Sequence, residues 1–188
     1  MAGAEYTIRR KILQIFGASF HVYGSEGNVI GYCRQKAFKL KEDIRIYTDE
    51  SMATEMLAIN ARAIIDFSAA YDVTDSLNQT PLGALQRKGM KSLLQDEWSV
   101  LDASGQPIGI LKEDSAMMAL VRRFLSNLVP QVFHLIDNSG RQLAELRTHF
   151  NPFVHRMTVN VEDDCPIDPL LVLAAGVLLM AVEGRQES

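Results

Sequence analysis

The sequence predicts a mainly β protein: repeated antiparallel hairpins, in a barrel or sandwich, wrapped around one apolar helix near the C-terminus. Two observations carry this. From Ile8 to about Val161 the pattern is short alternating segments broken by turn residues, and one hairpin unit recurs along it. Near the end, Leu170 to Val182 is unbroken apolar sequence. A helix hydrophobic on every side must be buried all round or lie in a membrane. This run is about 13 residues, or roughly 20 Å, while a bilayer core of about 30 Å needs about 20 residues. A core helix is therefore expected. A barrel of about a dozen strands needs a filling, and this helix needs a wrapper.

The repeat is read from its copies. Phe20-His-Val-Tyr-Gly-Ser-Glu-Gly-Asn-Val-Ile-Gly31 resembles Trp98-Ser-Val-Leu-Asp-Ala-Ser-Gly-Gln-Pro-Ile-Gly109, and both resemble Phe133-His-Leu-Ile-Asp-Asn-Ser-Gly-Arg-Gln-Leu-Ala144. A fourth copy, Tyr71 to Gly83, has one extra residue in its turn, and a looser fifth runs from Ile44 to Ala58. The first four are aromatic-x-aliphatic, an Asp/Gly/Ser-rich turn, then an aliphatic strand with Gly or Ala; the fifth opens with Ile44 in place of the aromatic. In Leu143-Ala144-Glu145-Leu146-Arg147, the charges at Glu145 and Arg147 must face water, which turns Ala144 and Leu146 inward. The same parity sends Gly31, Gly83, Gly109, Leu85 and Leu111 inward. On the leading strands it sends in Phe20/Val22, Tyr71/Val73, Trp98/Val100 and Phe133/Leu135.

Residues 115–128 break the strand pattern. Met117, Leu120, Val121, Phe124, Leu125 and Leu128 form one helical stripe, with Ser115 as cap and Pro130 as stop. An amphipathic helix across a barrel end or edge is expected there. The core helix is placed at about 169–183: Asp168 suits its N-cap, Pro169 its first turn and Gly184 its C′ position.

Composition narrows the function classes. With 188 residues and no Gly/Ser/Pro-rich linker, a single domain over 1–188 is expected. The net charge of −4 provides no global field for nucleic acid, so no nucleic-acid partner is expected. No signal peptide is legible, and Cys33 and Cys165 are too few for a disulfide framework and lack C-x-x-C or other metal spacing. A cytoplasmic location follows as the expectation.

Basic residues are the main candidates for chemistry. Arg9, Arg10 and Lys11, then Arg34, Lys36, Lys39 and Lys41, then Arg87, Lys88 and Lys91, fall at the ends of successive hairpins. They suit phosphate by charge and, for arginine, by bidentate geometry. The competing reading is a solvated set of strand ends balanced by acids at the opposite turns. Glu162, Asp163, Asp164 and Asp168 lack calcium-loop spacing and complement the helix N-terminus, so no metal is expected. His21 and His134 occupy equivalent outward positions of two repeats, and His149 and His155 form no metal pair. Cys33 reads as an inward apolar residue, and acids beside Cys165 should raise its pKa. No catalytic motif and no cofactor site is legible, which argues against an enzyme.

Hairpin repeats followed by an apolar C-terminal helix resemble the tubby C-terminal-like superfamily, in its LURP-one-related and phospholipid scramblase branch. The residues carrying the resemblance are Gln86-Arg87-Lys88-Gly-Met-Lys91-Ser through Asp96-Glu97-Trp98, and Gly109-Ile-Leu-Lys-Glu113-Asp114-Ser115. Arg122-Arg123-Phe124 with Pro130, and Asp164 to Glu183, complete it. It spans about Tyr6 to Glu183 and implies a closed antiparallel barrel of about twelve strands around the C-terminal helix. It also implies a non-catalytic module recognising anionic phospholipid headgroups through basic surface residues. The alternatives are a protein-interaction scaffold or a scramblase-like lipid mover. The chain lacks the scramblases' proline-rich extension, lipidated cysteine cluster and membrane-length C-terminal segment, which speaks against the last.

Overall fold

Each strand pairs antiparallel with its sequence neighbours and the first pairs with the last, so the sheet closes on itself. This is seen in a computed structural model describing residues 3–11, 18–35, 43–62, 70–87, 97–114, 130–149 and 154–183. The strands are β1 (Ala4–Lys11), β2 (Ala18–Tyr23), β3 (Val29–Gln35), β4 (Ile44–Tyr47), β5 (Glu55–Ala61) and β6 (Ala70–Asp75). They continue as β7 (Thr80–Arg87), β8 (Glu97–Leu101), β9 (Pro107–Glu113), β10 (Val132–Ile136), β11 (Gln142–His149) and β12 (Val154–Val161). Helix α1 (Pro169–Glu183) follows. The expected helix at 115–128 and the capping Gly184 lie outside the described residues.

The residues expected to face inward are buried on every repeat. Phe20, Val22, Tyr71, Val73, Trp98, Val100, Phe133 and Leu135 are buried, as are Leu85, Leu111, Ala144 and Leu146. Gly31, Gly83 and Gly109 are buried with them. Period two alone does not account for Leu143, buried beside Ala144. The cause is a β-bulge. In five hairpins the register slips by one residue near the turn, leaving Ile30, Met56, Leu82, Ile108 and Leu143 as the extra residues. All five are aliphatic or Met, and all join the core or pack against it. The bulge therefore adds an apolar side chain to the barrel at each hairpin without lengthening the strand.

The turns explain the Asp/Gly/Ser signature. Asp102 Oδ1 accepts hydrogen bonds from Ser104 N, Ser104 Oγ and Gln106 N, and Asp137 Oδ1 does the same with Ser139 and Arg141. The turn closes through Gly105 N to Asp102 O and Gly140 N to Asp137 O, with both glycines at positive φ. At Gly83 the reason for glycine is different. A Cβ there would lie 2.1 Å from the Leu101 carbonyl oxygen, so only glycine lets β7 and β8 approach.

Every residue of α1 from Leu171 to Ala181 is buried. The helix starts as the sequence predicts: Asp168 Oδ1 accepts from Leu170 N at 2.8 Å, an N-cap bond. Its one glycine, Gly176, sits against β1 and β12. A Cβ on Gly176 would meet Ile8 Cδ1 and Val159 Cγ2, both at 2.9 Å. The partners are aliphatic, from β1 and β12.

Candidate functional site

The hairpin turns and the 162–168 loop all lie at one end of the barrel. The C-terminal ends of β1, β3 and β7 lie at the other, so Arg9, Arg10, Arg34 and Arg87 share an end. They do not share a face. Arg9 and Arg34 alternate with buried Ile8 and Cys33 and point outward, where both are exposed. Arg10 and Arg87 have inward parity, two residues beyond Ile8 and Leu85. The Arg10 guanidinium lies 5.9 Å from the buried Phe20 ring. Strand β7 lies halfway round the barrel from β1, which separates Arg87 from Arg9. Lys36, Lys39, Lys41, Lys88 and Lys91 lie outside the described residues, and Lys11 is placed only by its pairing with Val154.

What joins Arg9 instead comes from barrel closure. Cross-strand pairs run laterally as His149–Arg156–Arg9–His21–Tyr32–Tyr47 across β11, β12, β1, β2, β3 and β4. The next row begins Arg147–Thr158–Thr7–Tyr23. Directly opposed residues have Cβ atoms about 4.5–5.5 Å apart, and diagonal ones lie about 7–8 Å apart. Arg9 and Arg156 are therefore immediate neighbours of like charge, with Arg147 diagonal to Arg156.

The side chains show how this crowding is arranged. The Arg9 guanidinium lies 4.6 Å from the Tyr23 ring centroid, a cation–π contact. Arg147 Nε donates to Glu145 Oε1 at 3.0 Å, and His21 Nε2 meets Glu50 Oε1 at 2.7 Å. His21 also sits 5.1 Å from the Tyr32 ring. His149 bonds Thr158 Oγ1 at 3.0 Å. Burial, then the charges of Arg156 and Arg147, hold its imidazole below the ordinary range. His149 thus registers a locally positive field. The result is a face of arginines and tyrosines on one flank of the barrel. Sequence reasoning missed Arg147 and Arg156 because neither is near Arg9 along the chain.

Other candidates resolve into structural roles. Asp163 Oδ1 accepts from Gly3 N, Asp164 pairs with Arg141, and Asp168 caps α1, so these acids are directed to separate partners. Among the described residues no group of His, Cys, Asp and Glu could hold a metal ion. Burial pushes the Cys33 thiol up to about 12. Burial is also the main cause raising Cys165, with Asp164 and Glu162 adding less. His134 faces outward like His21 and bonds Gln142. The packing gap between α1 and the wall at Val100, Leu135, Leu146 and Ala175 has no room for a water molecule. Among the described residues, no helix is long and apolar enough to cross a membrane.

Comparison with curated proteins and with solved structures finds no match. The family model described as LURP-one-related matches residues 29–180, from β3 through most of α1. That span and the closed twelve-strand barrel around its C-terminal helix agree: the chain belongs to the LURP-one-related family of tubby-like barrels.

Proposed function

We propose that the chain is a single-domain, non-catalytic, cytoplasmic module that binds the phosphate of an anionic phospholipid headgroup on its outer face. The observation that carries this reading is the opposed pair Arg9–Arg156, with Arg147 diagonal to it. Like charges directly opposite each other destabilise a sheet, and an anion seated between them reverses the sign. Guanidinium forks suit phosphate oxygens, and the flanking Tyr23 and Tyr32 have rings suited to the wet edge of a bilayer. Arg34, two strands from Arg9, extends the same face. Two free thiols, Cys33 and Cys165, suit a reducing compartment.

Vesicle co-sedimentation tests the reading. The chain should bind vesicles containing phosphatidylserine or a phosphoinositide at low salt, not phosphatidylcholine alone, and should release as salt rises. Arg9→Glu/Arg156→Glu should lower binding at least tenfold (~1.4 kcal/mol). Inorganic phosphate competing as well as a headgroup would point to a free anion instead. Undiminished binding by the double variant would sink the proposal.

A further inference from the structure

The turn end holds a second feature, independent of the arginine face. The Asp49–Met52 turn repeats the geometry of its sister hairpins. Ser51 N donates to Asp49 Oδ1 and Met52 N donates to Asp49 O, as Ser139 and Gly140 do to Asp137. Gly27, Gly105 and Gly140 fill the left-handed position in three hairpins, but here Met52 fills it, with φ 56°. The next hairpin along the barrel puts Gln79 at φ 55°. A non-glycine residue held there is strained.

These same hairpins carry the exposed apolar side chains. The exposed large hydrophobics among the described residues are Val29, Met52 and Leu77, at 44%, 39% and 55%. They lie on the β2–β3, β4–β5 and β6–β7 hairpins, consecutive around the rim. Hydrogen bonds tie these hairpins together: Glu50 reaches back to His21, while Ser76 N donates to Met56 O and Ser76 Oγ to Glu55 Oε1. The turns on the other half of the rim, 102–106 and 137–141, have no exposed large hydrophobic.

Charge selects the occupant. Residues 24–29, 48–54 and 75–80 contain Glu26, Asp49, Glu50 and Asp75, and no Lys or Arg. The Asp49 and Asp75 carboxylates accept turn hydrogen bonds, which hold both below the usual carboxylate range and therefore charged at neutral pH. An anionic membrane is repelled by such a rim. We infer that this half-rim is a docking surface for a protein segment carrying basic residues among apolar ones, with Met52 and Leu77 as its anchors. Strain accepted at Met52 is accounted for because glycine, the unstrained choice of the sister turns, offers no anchor.

A random 16-residue peptide library displayed on phage, selected on the full chain at low salt and counter-selected on Met52→Ser/Leu77→Ser, tests this. Enriched peptides should combine Lys or Arg with Leu, Ile or Phe, and bind the double variant at least tenfold more weakly. Met52→Gly should raise Tm by about 2–4 °C while lowering affinity for the same peptides. No enrichment, acidic enriched peptides, or full affinity of Met52→Gly overturns the inference. Sedimentation velocity showing self-association that the double variant abolishes would assign the rim to a second copy of this chain and overturn it too. Co-sedimentation with anionic vesicles should be the same for the double variant as for the wild type. A loss there would make the rim a membrane tip. If the wild type binds no vesicles at all, the lipid reading fails and the rim inference stands on its peptides.

Discussion

Gly176 lies against β1 and β12 of the barrel wall, and the space around it measures how completely the helix is enclosed. Ile8 and Val159 leave no room for more than a shift of their methyl ends. Gly176→Leu should therefore destabilise the fold by about 1–3 kcal/mol or more, read from chemical denaturation. A variant as stable as the wild type would mean the helix can back away from β1 and β12. Cys33 makes a companion probe at this scale. Its buried thiol, with a pKa of about 12, should react with maleimide only as fast as the barrel unfolds. Labelling of the native protein at the rate of a free thiol would contradict the enclosure seen here. Both residues were legible in part. Parity placed Cys33 inside, and the caps placed Gly176 at mid-helix. The aliphatic neighbours of Gly176 were not legible, because helix rotation against a wall is set by all twelve strands together.

The hairpin turn is the element that repeats, and its chemistry is local. Asp102 and Asp137 each anchor a turn through an oxygen that accepts bonds from Ser and from the residue leading into the following strand. Those bonds hold both carboxylates below their usual range, the bond from the serine hydroxyl being the largest cause in each. A depressed folded pKa gives stability that is present above the unfolded value, about 3.9, and lost as pH falls through the folded value. Asp102→Asn/Asp137→Asn should thus be less stable than the wild type at neutral pH, with the difference closing below about pH 4. Urea midpoints across that range check it, and a constant difference would refute it. Aspartate, serine and glycine spaced at a turn were readable directly, since every partner lies within four residues. The bulges were not. One extra residue leaves the alternating pattern on both sides intact and shifts only its phase, so Leu143 read as a polar-side position until its pairing was known. The junction of β3 and β4, joined among the described residues through the pair Tyr32–Tyr47, was equally silent in sequence.

On the scale of the whole molecule, closure of β1 onto β12 makes the candidate site. It sets Arg9 against Arg156 within a register of eight residue pairs, from Ala4–Val161 to Lys11–Val154. If that juxtaposition is a cost the empty fold carries, Arg156→Ser should raise the melting temperature slightly at low salt and not at high salt, while weakening vesicle binding. A variant that melts lower at low salt would mean that Arg156 stabilises the fold and that the pair needs no ligand to explain it. The sequence by itself determined the hairpin repeat, the inward residues and the capped apolar helix. Each of these is written in contiguous residues through period, turn chemistry or capping. Tertiary structure alone decided which basic residues share a face: Arg9 and Arg34 with Arg147 and Arg156, apart from Arg10 and Arg87. The physical reason is that lateral neighbours in a barrel are fixed by strand order, register and closure. Those depend on how the whole sheet bends around its helix, and no local stretch of the chain encodes them.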